Sequence, residues 1–282
     1  MKRMIALALS LVMSLCLFAG CSSAETTDTT TAPATQGTTA ATESVPETTA
    51  ASAAFTTVEE GKLIMATNAF FPPYEYYEGE TIVGIDAEIA AAIAEKLGLE
   101  LVIQNMEFSS IITAVTTGAA DFGLAGMTVT EDRLKEVDFS ISYANGVQAI
   151  IVKEGSAITS VDDLGAEGAT YKIGVQLGTT GDIYASEEFG DRVTQYNNGN
   201  EAVLALQNGD VDCVIIDNEP AKAFVKANTG LALLDTSYAD EDYAACVAKG
   251  NSELLKAIDQ AIEELIMDGT IDQIVAKYIP AE

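Results

Sequence analysis

The stretch Asp86-Ala87-Glu88-Ile89-Ala90-Ala91-Ala92-Ile93-Ala94-Glu95-Lys96-Leu97-Gly98-Leu99-Glu100-Leu101-Val102-Ile103 changes its period at Gly98. Before the glycine, Ile89, Ile93 and Leu97 fall on one face of a helix over Ala87–Leu97, with Asp86 placed to cap it. After the glycine, Leu99–Ile103 is a short apolar run that reads as a strand. Upstream, Leu63-Ile64-Met65-Ala66 reads as a buried strand. Strand, helix and strand in succession make the unit from which parallel sheets are built.

The alternation continues. Ser109 can cap a helix carrying Ile112 and Val115, ended by Gly118; Asp121–Ala125 reads as a strand, and Thr130 can cap a short helix containing Arg133. A second series follows, with strands predicted at 147–152, 172–176, 192–196, 212–216 and 243–248. Helices are predicted at 180–188, 199–207, 218–227, 251–267 and 270–278. The expected class is α/β with mostly parallel sheets. In such sheets a ligand sits beyond the carboxyl ends of strands, at helix N-termini.

The first residues read differently. Lys2 and Arg3 precede an apolar run from Met4 to Phe18, then Ala19-Gly20-Cys21: a secretory signal over residues 1–20, too short for a membrane span. Residues 21–56 are rich in Thr, Ala and Ser, with Pro33 and Pro46, and have no apolar period. They read as a disordered tether.

Composition narrows the function classes. The 282 residues carry a formal net charge of −29. Such a surface repels phosphate backbones, so nucleic acid is not an expected partner. There is no histidine, which removes histidine triads, general bases and metal ligands together. Cys16, Cys21, Cys213 and Cys246 form no Cys-x-x-Cys pair, so no metal site is expected. Cys213 and Cys246 fall in predicted strands, as buried thiols or as a disulfide.

Three stretches fall at strand ends. In Ala125–Arg133, Gly126 lets the backbone approach a ligand and Thr128 offers a hydroxyl; Arg133 offers a planar fork matched to a carboxylate. The bland alternative is a surface pairing of Arg133 with Glu131 or Asp132. Asn68–Glu75 brings Phe71 and a polar Asn68, either as pocket wall or as core. Gly178-Thr179-Thr180-Gly181 opens a helix, either as an anion site or as a plain cap, and lacks the Gly-Lys-Ser/Thr of a P-loop. Asp217 ends a strand, either to receive an ammonium group or to cap the next helix. A cation for a carboxylate and an anion for an amine together suit an α-amino acid.

Gly84-Ile85-Asp86-Ala87-Glu88-Ile89 with Ile93-Ala94 and Leu97, Phe108-Ser109-Ser110-Ile111-Ile112, Asp121–Thr130 with Arg133, and Val137-Asp138-Phe139-Ser140 resemble the polar amino acid binding proteins of bacterial ABC transporters, extracellular solute-binding protein family 3. The resemblance covers about Lys62 to Ile279. It implies a two-lobed, periplasmic-binding-protein-like fold of type II, with two mixed or parallel sheets joined by hinge strands near 141–148 and 239–245. Lobe 1 would be 57–143 plus 244–282, and lobe 2 would be 144–243.

The implied ligand-binding residues are Asn68, Phe71, Phe108, Ala125, Gly126, Thr128, Arg133, Thr179, Thr180 and Asp217. Arg133, Thr128 and Thr180 would take the α-carboxylate. Asp217 and the Gly126 carbonyl would take the α-ammonium. Phe71 and Phe108 would sandwich the side chain, and Asn68, where many relatives have aspartate, tilts the choice to an uncharged polar amino acid. Ile216 stands where some relatives are polar. Leu17-Phe18-Ala19-Gly20-Cys21 resembles a lipobox, implying a lipid on Cys21 and an extracytoplasmic, membrane-anchored carrier. The partners implied are a free amino acid and a permease on a separate chain; no cofactor is expected. The rival is an enzyme on the same fold, similar to cyclohexadienyl dehydratases, with Glu75 or Asp217 as general acid.

Overall fold

The computed structural model describes residues 55–235 and 238–279; Cys21, the leader and nearly all of the tether lie outside them. Among the described residues the chain runs β1 (Lys62–Thr67), β2 (Phe70–Phe71), β3 (Glu75–Glu78), β4 (Thr81–Val83), α1 (Ile85–Leu97), β5 (Glu100–Asn105), α2 (Ile111–Thr116), β6 (Phe122–Gly123) and α3 (Arg133–Glu136). It continues with β7 (Val137–Lys153), α4 (Val161–Gly165), β8 (Ile173–Gln176), α5 (Thr180–Phe189), β9 (Val193–Tyr196), α6 (Gly199–Asn208) and β10 (Cys213–Asp217). Then come α7 (Asn218–Ala227), β11 (Leu231–Leu233), β12 (Ala239–Ala248), α8 (Ser252–Met267) and α9 (Thr270–Tyr278).

Side chains alternate across a strand, so an all-apolar strand must feed two faces. In β1, Leu63 and Met65 join one core cluster with Ile89 and Ile93 of α1. Ile64 and Ala66 face the other way, onto Ile111 and Val115 of α2. β10 repeats the device: Val214 and Ile216 lie in the first cluster, while Cys213 and Ile215 pack with Ile150, Val175 and Ala185 in a third. The uninterrupted apolar runs therefore mark strands covered on both sides.

The strands hydrogen-bond in the order β5-β1-β6-β12-β7-β10-β8-β9, with β11 also on β7. β1 is parallel to β5 and β6, and β8 is parallel to β9 and β10. β7 and β12 are long and antiparallel, paired from Ala239 opposite Gln148 to Ala248 opposite Val137. Their ladder joins the two parallel groups into one mixed nine-stranded sheet, where two sheets are predicted from sequence. A three-stranded sheet, β2-β3-β4, stands apart.

Several predicted local details differ. Asp86 does not cap α1. The helix begins two residues earlier behind Gly84, whose φ is +125° and whose added Cβ would lie 2.2 Å from the Tyr74 carbonyl oxygen. Only glycine fits there. Asp86 is instead fully buried. Ser109 does not cap α2: a 3-10 turn over Phe108–Ser110 leads into it, and Ser110 holds the N-cap position without a side-chain bond. The strand predicted over Asp121–Ala125 shrinks to Phe122–Gly123, because the Asp121 carboxylate accepts the Ile64 and Val58 N–H groups and Ala125 turns into a loop. Thr130 does act at the start of α3, accepting from the Arg133 N–H at 3.2 Å. Cys213 and Cys246 are free, buried thiols, not a disulfide.

Candidate functional site

Four strand ends and one loop converge on a cavity of about 390 Å³. All ten residues singled out from sequence line it: Asn68, Phe71, Phe108, Ala125, Gly126, Thr128, Arg133, Thr179, Thr180 and Asp217. Glu75, Gln148, Gln176, Ile216, Glu241 and Tyr243 complete the wall.

The loop from Ala125 to Arg133 is fastened before it reaches the cavity. The Gly126 N–H donates to Asp86 Oδ2 at 2.7 Å, and its φ of +50° suits glycine. A Cβ there would sit 2.8 Å from the Phe71 ring. Thr128 bridges to Tyr243 of β12, flanked by Val129 N–H to Asp242 O (3.0 Å) and Ala244 N–H to Met127 O (3.1 Å). The Thr128 hydroxyl donates to Glu241 Oε2 at 2.9 Å.

Arg133 is 7% exposed, so the surface pairing is not what forms. Asp132 pairs with Lys135 instead, at 2.5 Å. The guanidinium donates to the carbonyls of Thr128 (2.7 Å) and Gly178 (2.9 Å) and lies over the Phe108 ring, 5.3 Å from its centroid. Burial lowers its pKa while Glu241 pulls the other way. Phe71 and Phe108 serve as wall and core together, each packed into a different apolar cluster.

The far wall comes from β8, α5 and β10. Thr179 caps α5, accepting the Asp182 N–H at 3.3 Å, so the plain cap reading holds there; Thr180 is buried beside it. Gln176 at the end of β8 donates to Asn68 Oδ1 at 3.0 Å, and Asn68 Nδ2 donates to Met106 O at 2.7 Å. Asp217 does two jobs. Its Oδ1 caps α7 through the Glu219 N–H (3.0 Å), and its Oδ2 accepts from Tyr243 Oη (2.5 Å) and the Val147 N–H (3.1 Å). It is 1% exposed, and burial raises its pKa to about 7 against those donors.

Three carboxyl groups, Glu75, Asp217 and Glu241, thus share the cavity with one guanidinium. Several acceptors there are idle: both Glu75 oxygens, Glu241 Oε1 and Gln148 Oε1 have no protein donor among the described residues. Buried acceptors without donors are rare, and in a cavity they await a guest. Of the wall residues missed from sequence, Gln148 and Glu241 were signalled by a polar residue inside a strand. Nothing local marked Tyr243 or Gln176.

A scan of family models matches residues 63–281 to the bacterial extracellular solute-binding proteins, family 3. The chain belongs to this family. This solute-binding protein is 35% identical over 226 residues to an arginine-binding extracellular protein, ArtP, of Bacillus subtilis (strain 168), covering 78% of this chain and 87% of that one. It is 36% identical over 208 residues to an ABC transporter glutamine-binding protein, GlnH, of the same organism, covering 71% and 75%. Among solved structures, an ancestral arginine-binding protein bound to glutamine matches with 40% identity and a TM-score of 0.74, over 79% of this chain and 100% of that one. The mixed α/β fold of this solute-binding protein is that of its structural neighbours.

Proposed function

We propose that this chain captures an α-amino acid and delivers it to an ABC importer formed by other chains. The observation that carries this is one cavity lined by both a buried guanidinium, Arg133, and a buried carboxyl, Asp217. An α-amino acid presents the two complementary charges. Arg133, Thr128 and Thr180 take the carboxylate; Asp217 and the Gly126 carbonyl take the ammonium. Phe71 and Phe108 flank the side chain, and Asn68 reads its end. The Asn68–Gln176 amide pair supports a neutral polar side chain. The idle oxygens of Glu75 favour a second reading, a cationic side chain. Relatives named for arginine and for glutamine support both.

The chain works as two lobes, 57–143 plus 244–282 and 144–243, hinged on β7 and β12. The two register irregularities at Tyr243/Ala244 and Ala244/Cys246 support flexing there. Closure is driven by contacts that the ligand makes better in the closed form. A lipid on Cys21 holds the carrier at the outer face of the cell membrane, with residues 22–56 as its leash.

Thermal unfolding against each of the twenty amino acids tests the reading. A ligand at 100 times its Kd adds about 2.7 kcal/mol, a rise of roughly 5–10 °C. No shift with any amino acid, together with turnover of prephenate, overturns it in favour of the dehydratase.

A further inference from the structure

Glu75 begins β3 and Asp86 lies in the first turn of α1. Both are fully buried, at 0% exposure. The Asp86 N–H donates to the Tyr74 carbonyl at 2.9 Å, which sets Glu75 and Asp86 beside one another, and each carboxyl acts on the other's titration. Neither Glu75 oxygen nor Asp86 Oδ1 has a hydrogen-bond partner among the described residues. Asp86 Oδ2, by contrast, accepts from the Gly126 N–H at 2.7 Å and from Tyr143 Oη of β7 at 2.8 Å. Two buried carboxyls side by side repel when both are charged, and only Asp86 has donors to hold a charge. Of the two, Glu75 is therefore the group that favours its protonated form.

Among the described residues, no cation is one of the groups that act on the pair's titration. The pair faces Tyr143 from β7 and Tyr74 beside Glu75; Tyr74 in turn feels Asp217 from β10 and Glu219 from α7. The Tyr243 ring of β12 meets the Tyr74 ring edge-on at 5.4 Å. The charged groups acting on these residues are acidic, which disfavours a second negative charge on the pair. Glu75 also lines the ligand cavity.

We propose that Glu75 and Asp86 hold one exchangeable proton, and that the cationic head of a ligand side chain displaces it. The inference rests on the amino-acid reading above. The Glu75 O–H bond breaks and its proton leaves to solvent. The carboxylate left behind pairs with a guanidinium or ammonium N–H, and no electrons change hands. A cationic amino acid is then bound with proton release, whereas a neutral amide is bound by the protonated pair as it stands. Glu75 is a specificity-determining residue whose charge adapts to the guest.

Calorimetry of the purified full chain tests this, with arginine and glutamine titrated in buffers of different ionisation heat. The buffer dependence counts protons. Asp217 meets the α-ammonium of either ligand, so its own titration cancels in the difference. Arginine should release about one proton more than glutamine near neutral pH, and the excess should fade as pH rises and the pair ionises. In Glu75→Gln the two counts should become equal. If that variant does not fold, the pH dependence of the wild-type excess decides alone. Equal counts for the two ligands in wild type, or glutamine binding without arginine, overturn the proton exchange and leave amino-acid capture standing. Binding of neither ligand, with no other amino acid shifting the unfolding temperature, removes the amino-acid reading itself.

Discussion

The two ends of the cavity are built on opposite terms. At Arg133 the polar groups are matched: the guanidinium has two carbonyls and an aromatic face. Both oxygens of Glu75 and one oxygen each of Gln148 and Glu241 have no donor among the described residues. The matched end is a tool already held in position. The unmatched end is a deficit that only donors from outside can fill, and a guest bearing N–H groups is what the deficit selects. The difference teaches that unsatisfied groups, more than satisfied ones, describe the missing ligand.

Arg133→Ala breaks the matched end. Charge-assisted hydrogen bonds contribute about 1.5–3 kcal/mol, so affinity for the amino acid should fall about ten- to hundredfold or more. Calorimetric affinity within threefold of wild type removes Arg133 from the clamp.

The acidic end should announce itself through pH. Burial raises Asp86 to about 6 and Asp217 to about 7, above their values in the unfolded chain, so folding takes up protons. Their stabilising share is full below the ordinary carboxylate range and is lost as pH rises through about 6 and about 7. Without ligand, stability should fall between the ordinary carboxylate range and about pH 7, by roughly 3–4 kcal/mol per group at most, and the unfolding temperature should fall with it. A flat profile contradicts the account. Asp217→Asn sharpens it: affinity should fall about tenfold, the lower range for a charged hydrogen bond, and the upper part of the pH slope should flatten. Phe108→Leu is the mildest probe. It removes the ring beneath Arg133, a cation–π contact of about 0.5–2 kcal/mol, and should weaken binding severalfold by fluorescence or calorimetric titration.

Much of this was legible in the chain. Period changes at Gly98 and Gly118 located the helices; the chosen residues line one cavity because strand ends and helix starts are where α/β sheets gather ligands, with Phe108 supplied by the family resemblance alone. Asp86 was misread for a physical reason. A carboxylate near a helix start looks like a cap, and only the tertiary approach of Gly126 and Tyr143 turns it inward. Gln176 and Tyr243 were invisible for the same reason, since their partners Asn68 and Asp217 lie 108 and 26 residues away. The single sheet also escaped prediction: apolar runs mark strands but do not say that β7 and β12 would join both groups.

The Gly178 carbonyl that holds Arg133 lies 45 residues along the chain from it. That bond and the one to Thr128 use two of the five N–H donors of the guanidinium and fix its plane. Immobilising so long a side chain at an interface costs roughly 0.5–1.5 kcal/mol, and the bond to Thr128, five residues away, completes part of that ordering before a guest arrives. Loosening the Thr128 carbonyl would therefore leave the heat of capture nearly unchanged and appear as a less favourable entropy, with a guest that arrives as readily but is gripped by a wandering hand.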